Sequence, residues 1–154
     1  MTLIDALPAA LDPKSALEAA FSGELPQTLG RKDQDLIAIA KMAKKALGDG
    51  DAALAFRAYA LLVLLDPQNV PYQIGLAESA LAAKTPSAAL QAASAVVAST
   101  PYNPQGYYWS ARACLELGLM AEAKEDLKDA ASFAKQARMG TLFAECQALL
   151  GNLK

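Results

Sequence analysis

The chain has 154 residues, enough for one domain with a hydrophobic core and too few for two of ordinary size. Hydrophobic residues make up 54% and charged residues 19%, which excludes disorder throughout. A formal charge of −2, with 14 scattered Lys and Arg, supplies no basic field for nucleic acid, and the absence of histidine removes the commonest acid–base group and metal ligand.

No nucleic-acid partner, catalytic residue, cofactor or metal is therefore expected; the pair Glu122 and Glu125 reads as a helix surface without metal-ligand spacing. The mean hydropathy of +0.18 is high for a water-soluble chain and leaves apolar surface for a partner. The longest uninterrupted apolar run, Ala58 to Leu65, is far below the roughly 18 residues of a membrane span, so no stable membrane insertion is expected. Asp5 near the start, with no Lys or Arg before Lys14, is unlike a signal peptide, and a cytoplasmic location is the expectation.

In chain order, Thr2 to Leu7 reads as a short helical turn before Pro8. Asp12-Pro13 is a stronger start signal, with Asp as N-cap and Pro at the first helical position, followed by Ala16, Leu17, Ala20 and Phe21 on one face. Leu25 to Gly30 is a connector, and the segment 1–33 serves either as a cap on the helices C-terminal to it or as a dimerisation surface. Asp33 begins a helix over 34–47 with Leu36, Ile37, Ala40, Ala43 and Leu47 at helical spacing. After the turn Gly48 to Asp51, with Asp51 as N-cap, a partner helix spans 52–65 and stops at Asp66-Pro67.

The pattern then repeats. Ala55, Tyr59 and Pro67-Gln68-Asn69 return 34 residues later as Ala89, Ala93 and Pro101-Tyr102-Asn103, and Ala123 falls at the next step. A period of this length, with a small residue mid-unit and Pro near its end, is the signature of tetratricopeptide helix–turn–helix repeats. Asn69 and Pro71 open the second repeat, which turns at Lys84-Thr85 and restarts with Thr85 as cap and Pro86 at the first helical position. Asn103-Pro104 opens the third, which breaks at Gly118 and returns over 121–134. Lys135 stands where the register calls for proline, so this repeat flows into a final helix striped by Ala137, Leu142, Phe143, Cys146, Leu149 and Leu150, with Gly140 as an interruption.

The expected fold is thus all-α, a single helical-repeat domain over 1–154: N-terminal segment 1–33, repeats 34–67, 68–101 and 102–135, and a capping helix over 136–154. Ala55, Ala89 and Ala123 let the two helices of each repeat approach closely. Cys114 and Cys146, among apolar neighbours, read as buried reduced thiols. The first helix of each repeat lines the concave face. Counting from 36, 70 and 104, its fifth positions are Ala40, Ile74 and Tyr108, its ninth Lys44, Glu78 and Arg112, and its twelfth Leu47, Leu81 and Leu115. These nine residues form an apolar stripe edged by mixed charge, suited to an extended partner segment with hydrophobic anchors.

Three stretches carry a resemblance. Pro71-Tyr72-Gln73-Ile74-Gly75-Leu76-Ala77 after Leu65-Asp66-Pro67, and Ser110-Ala111-Arg112-Ala113-Cys114-Leu115-Glu116-Leu117-Gly118, resemble the second and third repeats of the class II chaperones of bacterial type III secretion. The leading segment Phe21 to Gly30 is similar as well, so the resemblance spans roughly residues 15–150. It implies a cytoplasmic, ATP-independent chaperone whose groove holds an extended segment of a hydrophobic translocator protein before export, with a homodimer through the N-terminal helices. The chain departs from the family at Leu36, Ile37 and Ala40, where an aromatic residue is usual, and at Arg112, where an acidic one is common. Two other readings stand beside it: a chaperone of the needle subunit of the same system, which would bind an amphipathic helix, and a repeat scaffold for protein–protein interaction.

Overall fold

The structure is a computed structural model that describes residues 33–153, so the expectations for the N-terminal segment, its capping or dimerising role included, lie outside the described residues. Seven helices follow one another among these residues, without a strand: α1 Asp33–Gly48, α2 Ala52–Leu65, α3 Val70–Ala82, α4 Pro86–Ser99, α5 Pro104–Glu116, α6 Met120–Gln136 and α7 Gly140–Asn152. No helix among them is long and apolar enough to cross a membrane.

Local chemistry explains most of the boundaries. Asp51 Oδ1 accepts from the Leu54 N–H (3.1 Å), Asn69 Oδ1 from the Tyr72 N–H (3.2 Å) and Asn103 Oδ1 from the Gln105 N–H (3.0 Å), each satisfying a donor that the first turn leaves free. Thr85 behaves differently from the expectation. It occupies the N-cap position of α4 but makes no cap bond; its hydroxyl donates back to the Ala80 carbonyl (2.9 Å), closing the end of α3 instead of the start of α4.

Each turn within a repeat uses one residue in the left-handed region: Gly50 (φ 85°), Lys84 (φ 62°) and Gly118 (φ 76°), spaced by the repeat period. The residue after each donates its N–H to a carbonyl five residues back, Asp51 to Ala46 (2.9 Å), Thr85 to Ala80 (2.8 Å) and Leu119 to Cys114 (2.8 Å), which closes the helix end. The junction after α6 corrects the expected run-on helix. Without a proline at Lys135, α6 continues to Gln136, and the chain then turns sharply at Arg138 (φ 57°), with the Met139 N–H bonded to the Ala134 carbonyl (2.8 Å). Ala137 is exposed in this turn rather than part of the final apolar stripe, and Gly140 is the first residue of α7 rather than a break within it.

The core runs along the array as a chain of clusters. Leu36, Ile39, Ala43, Ala58, Tyr59, Leu61 and Leu62 join α1 to α2; Ala77, Ala92 and Ala93 join α3 to α4; Tyr108, Ala111, Leu127, Ala130, Ala131 and Cys146 join α5, α6 and α7. Ala55, Ala89 and Ala123 are fully buried, as close helix crossings require. One crossing tolerates no side chain at all: a Cβ on Gly75 would lie 2.2 Å from the Tyr59 ring, so the glycine is what lets the ring lie against α3. Successive first helices touch, α1 with α3 and α3 with α5, whereas α2, α4 and α6 approach one another less. The first helices therefore form the inner, concave face of a curved array.

Candidate partner-binding site

A cavity of about 560 Å³ opens on this inner face. Glu78 of α3 forms one wall; Gln105, Tyr108 and Trp109 of α5 form the floor; Arg138 and Met139 of the α6–α7 turn and Gly140, Thr141, Leu142 and Glu145 of α7 form the other wall. Helical spacing puts Gln105, Tyr108 and Trp109 on one face of α5, and Thr141, Leu142 and Glu145 on the facing side of α7.

Tyr108 is the fixed point. Its ring is buried, stands edge-on to Trp109 (centroids 5.0 Å apart, 74°), and its hydroxyl accepts from Arg112 Nη1 (2.8 Å). The guanidinium carbon lies 5.7 Å from the Tyr108 centroid and 5.9 Å from that of Trp109, within cation–π range. Burial pushes the Tyr108 hydroxyl above its ordinary range, Arg112 opposes this, and Glu145 adds to the upward shift. The cavity thus has a rigid aromatic floor with its cation already in place.

Burial also raises the Glu78 carboxyl, with Lys44 one repeat away pulling it back. Glu78 in turn adds to the upward shift that burial imposes on the Tyr59 phenol. Both thiols are pushed up: burial dominates for Cys114, with Asp126 next, and for Cys146, with Glu145 next. Both cysteines are free and buried. Among the described residues no group of three metal-binding side chains comes together.

Of the nine groove residues read from the sequence, the cavity gathers Glu78 and Tyr108, with Arg112 clamped behind Tyr108. Lys44 is exposed and faces Glu78 electrostatically. Ala40 packs against the α1–α2 core, and Leu81 against Ala80, Ala89 and Ala113. Leu47, Ile74 and Leu115 are half-buried along the first helices, outside the cavity. The sequence reading missed Gln105 and Trp109, because it took only the fifth, ninth and twelfth positions of each first helix, and the whole wall from Arg138 to Glu145, because it treated the last helix only as a cap. A signal was present: Gly106 and Gly140, Tyr108 and Leu142, and Leu115 and Leu149 are all 34 residues apart, which carries the register into α7. This helix packs on α6 as the first helix of a further repeat would.

No family model matches the chain. Among solved structures, PcrH from Pseudomonas aeruginosa superposes with a TM-score of 0.77 at 22% identity, covering 84% of this chain and 98% of that one. SycD of Yersinia enterocolitica, a type III secretion chaperone solved in complex with a peptide of the translocator YopD, gives 0.72 at 20% identity over 79% and 94%. The first tetratricopeptide domain of Spaghetti (RPAP3), bound to an HSP90 peptide, gives 0.63 at 17% over 78% and 96%. This chain has their tetratricopeptide-repeat fold. PcrH has also been solved with the chaperone-binding regions of PopD and of PopB. A curated relative, cellulose synthase operon protein C of Pseudomonas fluorescens, is 30% identical over 139 residues, which are 90% of this chain. The chain spans only 11% of that relative's length.

Proposed function

We propose that this protein is a translocator chaperone of type III secretion, which holds a hydrophobic export client through the concave face of its repeats. The observation that carries the reading is the likeness to PcrH over 84% of this chain and 98% of that one, together with the peptide-bound states of PcrH and SycD. The cavity between α3, α5 and α7, roofless and floored by Tyr108 and Trp109, supports it: an extended segment would lay alternate side chains into it. The half-buried Ile74, Leu81 and Leu115 extend an apolar track along the same helices.

Each anchor side chain that becomes fully buried contributes about 1.5–3 kcal/mol. Three of them give roughly 5–9 kcal/mol before several kcal/mol are lost to association and ordering. Groove anchors alone therefore support an affinity no tighter than about micromolar, and tight binding needs further contacts. A homodimer through the N-terminal segment belongs to the same reading. Light scattering tests it, because removing residues 1–30 should leave a monomer.

Co-expression with a translocator is the decisive experiment. The client is expected to stay in the soluble fraction and to elute with the protein, and Ile74→Glu, at a half-buried groove position, should release it while circular dichroism stays unchanged. A client that remains insoluble beside the folded protein overturns the chaperone reading. The alternative is then a repeat scaffold, which the similarity to a short stretch of the much longer cellulose synthase operon protein C favours.

A further inference from the structure

A second cavity, about 320 Å³, lies apart from the concave one and shares no residue with it. It opens between the α2–α3 loop, the first turns of α3 and the end of α4, lined by Pro67 and Gln68, Val70 and Gln73, and Ala95, Ala98 and Ser99. The repeat register shows what such a place holds elsewhere in the molecule. One period on, Gln68, Gln73 and Ser99 correspond to Tyr102, Tyr107 and Phe133. There three rings meet: Phe133 lies 5.3 Å from Tyr107 and edge-on at 5.7 Å from the exposed Tyr102.

The two junctions share their backbone anchor. Tyr107 Oη donates to the Pro101 carbonyl (2.9 Å), and Gln73 Nε2 donates to the equivalent Pro67 carbonyl (3.4 Å). Gln73 thus reproduces the hydrogen bond of a tyrosine without its ring, while Gln68 and Ser99 remove the other two rings. One period earlier, the equivalents of Gln73 and Ser99 are Ile39 and Leu65, both packed in the α1–α2 core. The middle junction thus combines polar or short residues at all three positions with an open volume. None of its lining residues is charged, so the occupant is a neutral side chain, and the volume lies within the range of about 300–1,000 Å³ typical of small-ligand pockets.

We infer that this junction is a docking site for a tyrosine side chain of a partner segment, which supplies from outside the ring that the next repeat supplies from within. The site is independent of the concave groove. Its test is a titration of the isotope-labelled protein with N-acetyl-tyrosinamide, followed by backbone amide shifts. Saturable shifts are expected at Gln73, Ala95, Ala98 and Ser99, with none from N-acetyl-leucinamide. No saturable shift at these residues, or equal shifts from the leucine probe, overturns the inference. The triple graft Gln68→Tyr, Gln73→Tyr, Ser99→Phe, copied from the next junction, should fill the site and raise the half-saturating probe concentration at least tenfold. Ala98→Leu, at an exposed helical position, should obstruct the same volume and gives the same readout if the graft does not fold. Unchanged probe binding in a folded variant of either kind refutes the site.

Discussion

Gly75 and Tyr59 show how closely single residues govern the packing. Alanine at a helix interior normally gains about 1 kcal/mol over glycine, whereas overpacking a core costs about 1–3 kcal/mol. A Cβ 2.2 Å from an aromatic ring places the second effect ahead. Gly75→Ala is expected to lower Tm, and to do so much less in a Tyr59→Leu background, since residues in contact are not additive. Thermal unfolding of the four proteins in the cycle measures the coupling. Glu78 makes an electrostatic prediction at the same scale. Its carboxyl is raised from an ordinary 4.5, by burial first and against the opposing pull of Lys44. A raised folded pKa means that the stabilisation belongs to the protonated form: it is complete below the unfolded value and is lost as pH rises through the folded one. Charged Glu78 therefore costs stability at neutral pH. Glu78→Gln should raise Tm at about pH 7 and change it little at about pH 4, and a lower Tm at neutral pH would refute this account. Asp126 is raised too, by burial first and against the Ser110 hydroxyl that donates to it (2.6 Å), so its contribution has the same sign.

At the scale of the element, boundary residues divide into those that cap and those that only occupy a cap position. Asn69→Ala and Asn103→Ala each remove a bond to a first-turn N–H and should cost about 1 kcal/mol. Thr85→Ala removes only a second bond to a carbonyl that already accepts the Thr85 N–H, and should cost less than either. Urea midpoints at constant slope decide the order. Lys84 makes the complementary case. It adopts φ 62° where the neighbouring repeats place Gly50 and Gly118. Left-handed backbone costs an L-residue roughly 1–2 kcal/mol, partly offset by the greater freedom of glycine in the unfolded chain. Lys84→Gly should accordingly be neutral to stabilising, by up to about 1 kcal/mol.

For the whole molecule, α7 decides whether the array ends cleanly. Leu142, Phe143, Leu149 and Leu150 pack with buried Cys146 onto α5 and α6, so a chain stopped at Arg138 would bare that cluster. Such a truncation is expected to aggregate, and light scattering reads it out; an unaggregated species of the same oligomeric state as the full chain would show that α7 is dispensable. The two thiols report on the same integrity. Both are buried, with their pKa values raised chiefly by burial, so an aromatic disulfide reagent should react slowly at neutral pH and promptly once denaturant opens the array.

Features that depend on neighbours along the chain, or on a fixed period, were legible in the order of residues alone. Asp51, Asn69 and Asn103 announce helix starts because their side chains reach N–H groups two or three residues away. Pro67 and Pro101 announce ends because they cannot continue a helix. Ala55, Ala89 and Ala123 announce close crossings, because only small residues fit where two helices meet. The three-dimensional arrangement settled the rest. The Thr85 hydroxyl had two partners within local reach, and the end of α3 took it. The turn at Arg138 swung α7 back along α6, bringing residues 138–145 to face Glu78 across Tyr108 and Trp109. That cavity joins residues up to 67 positions apart, and the sequence analysed stretch by stretch holds no term for such a meeting. It exists because the first helices lie on the inside of the curve, where side chains from successive repeats converge.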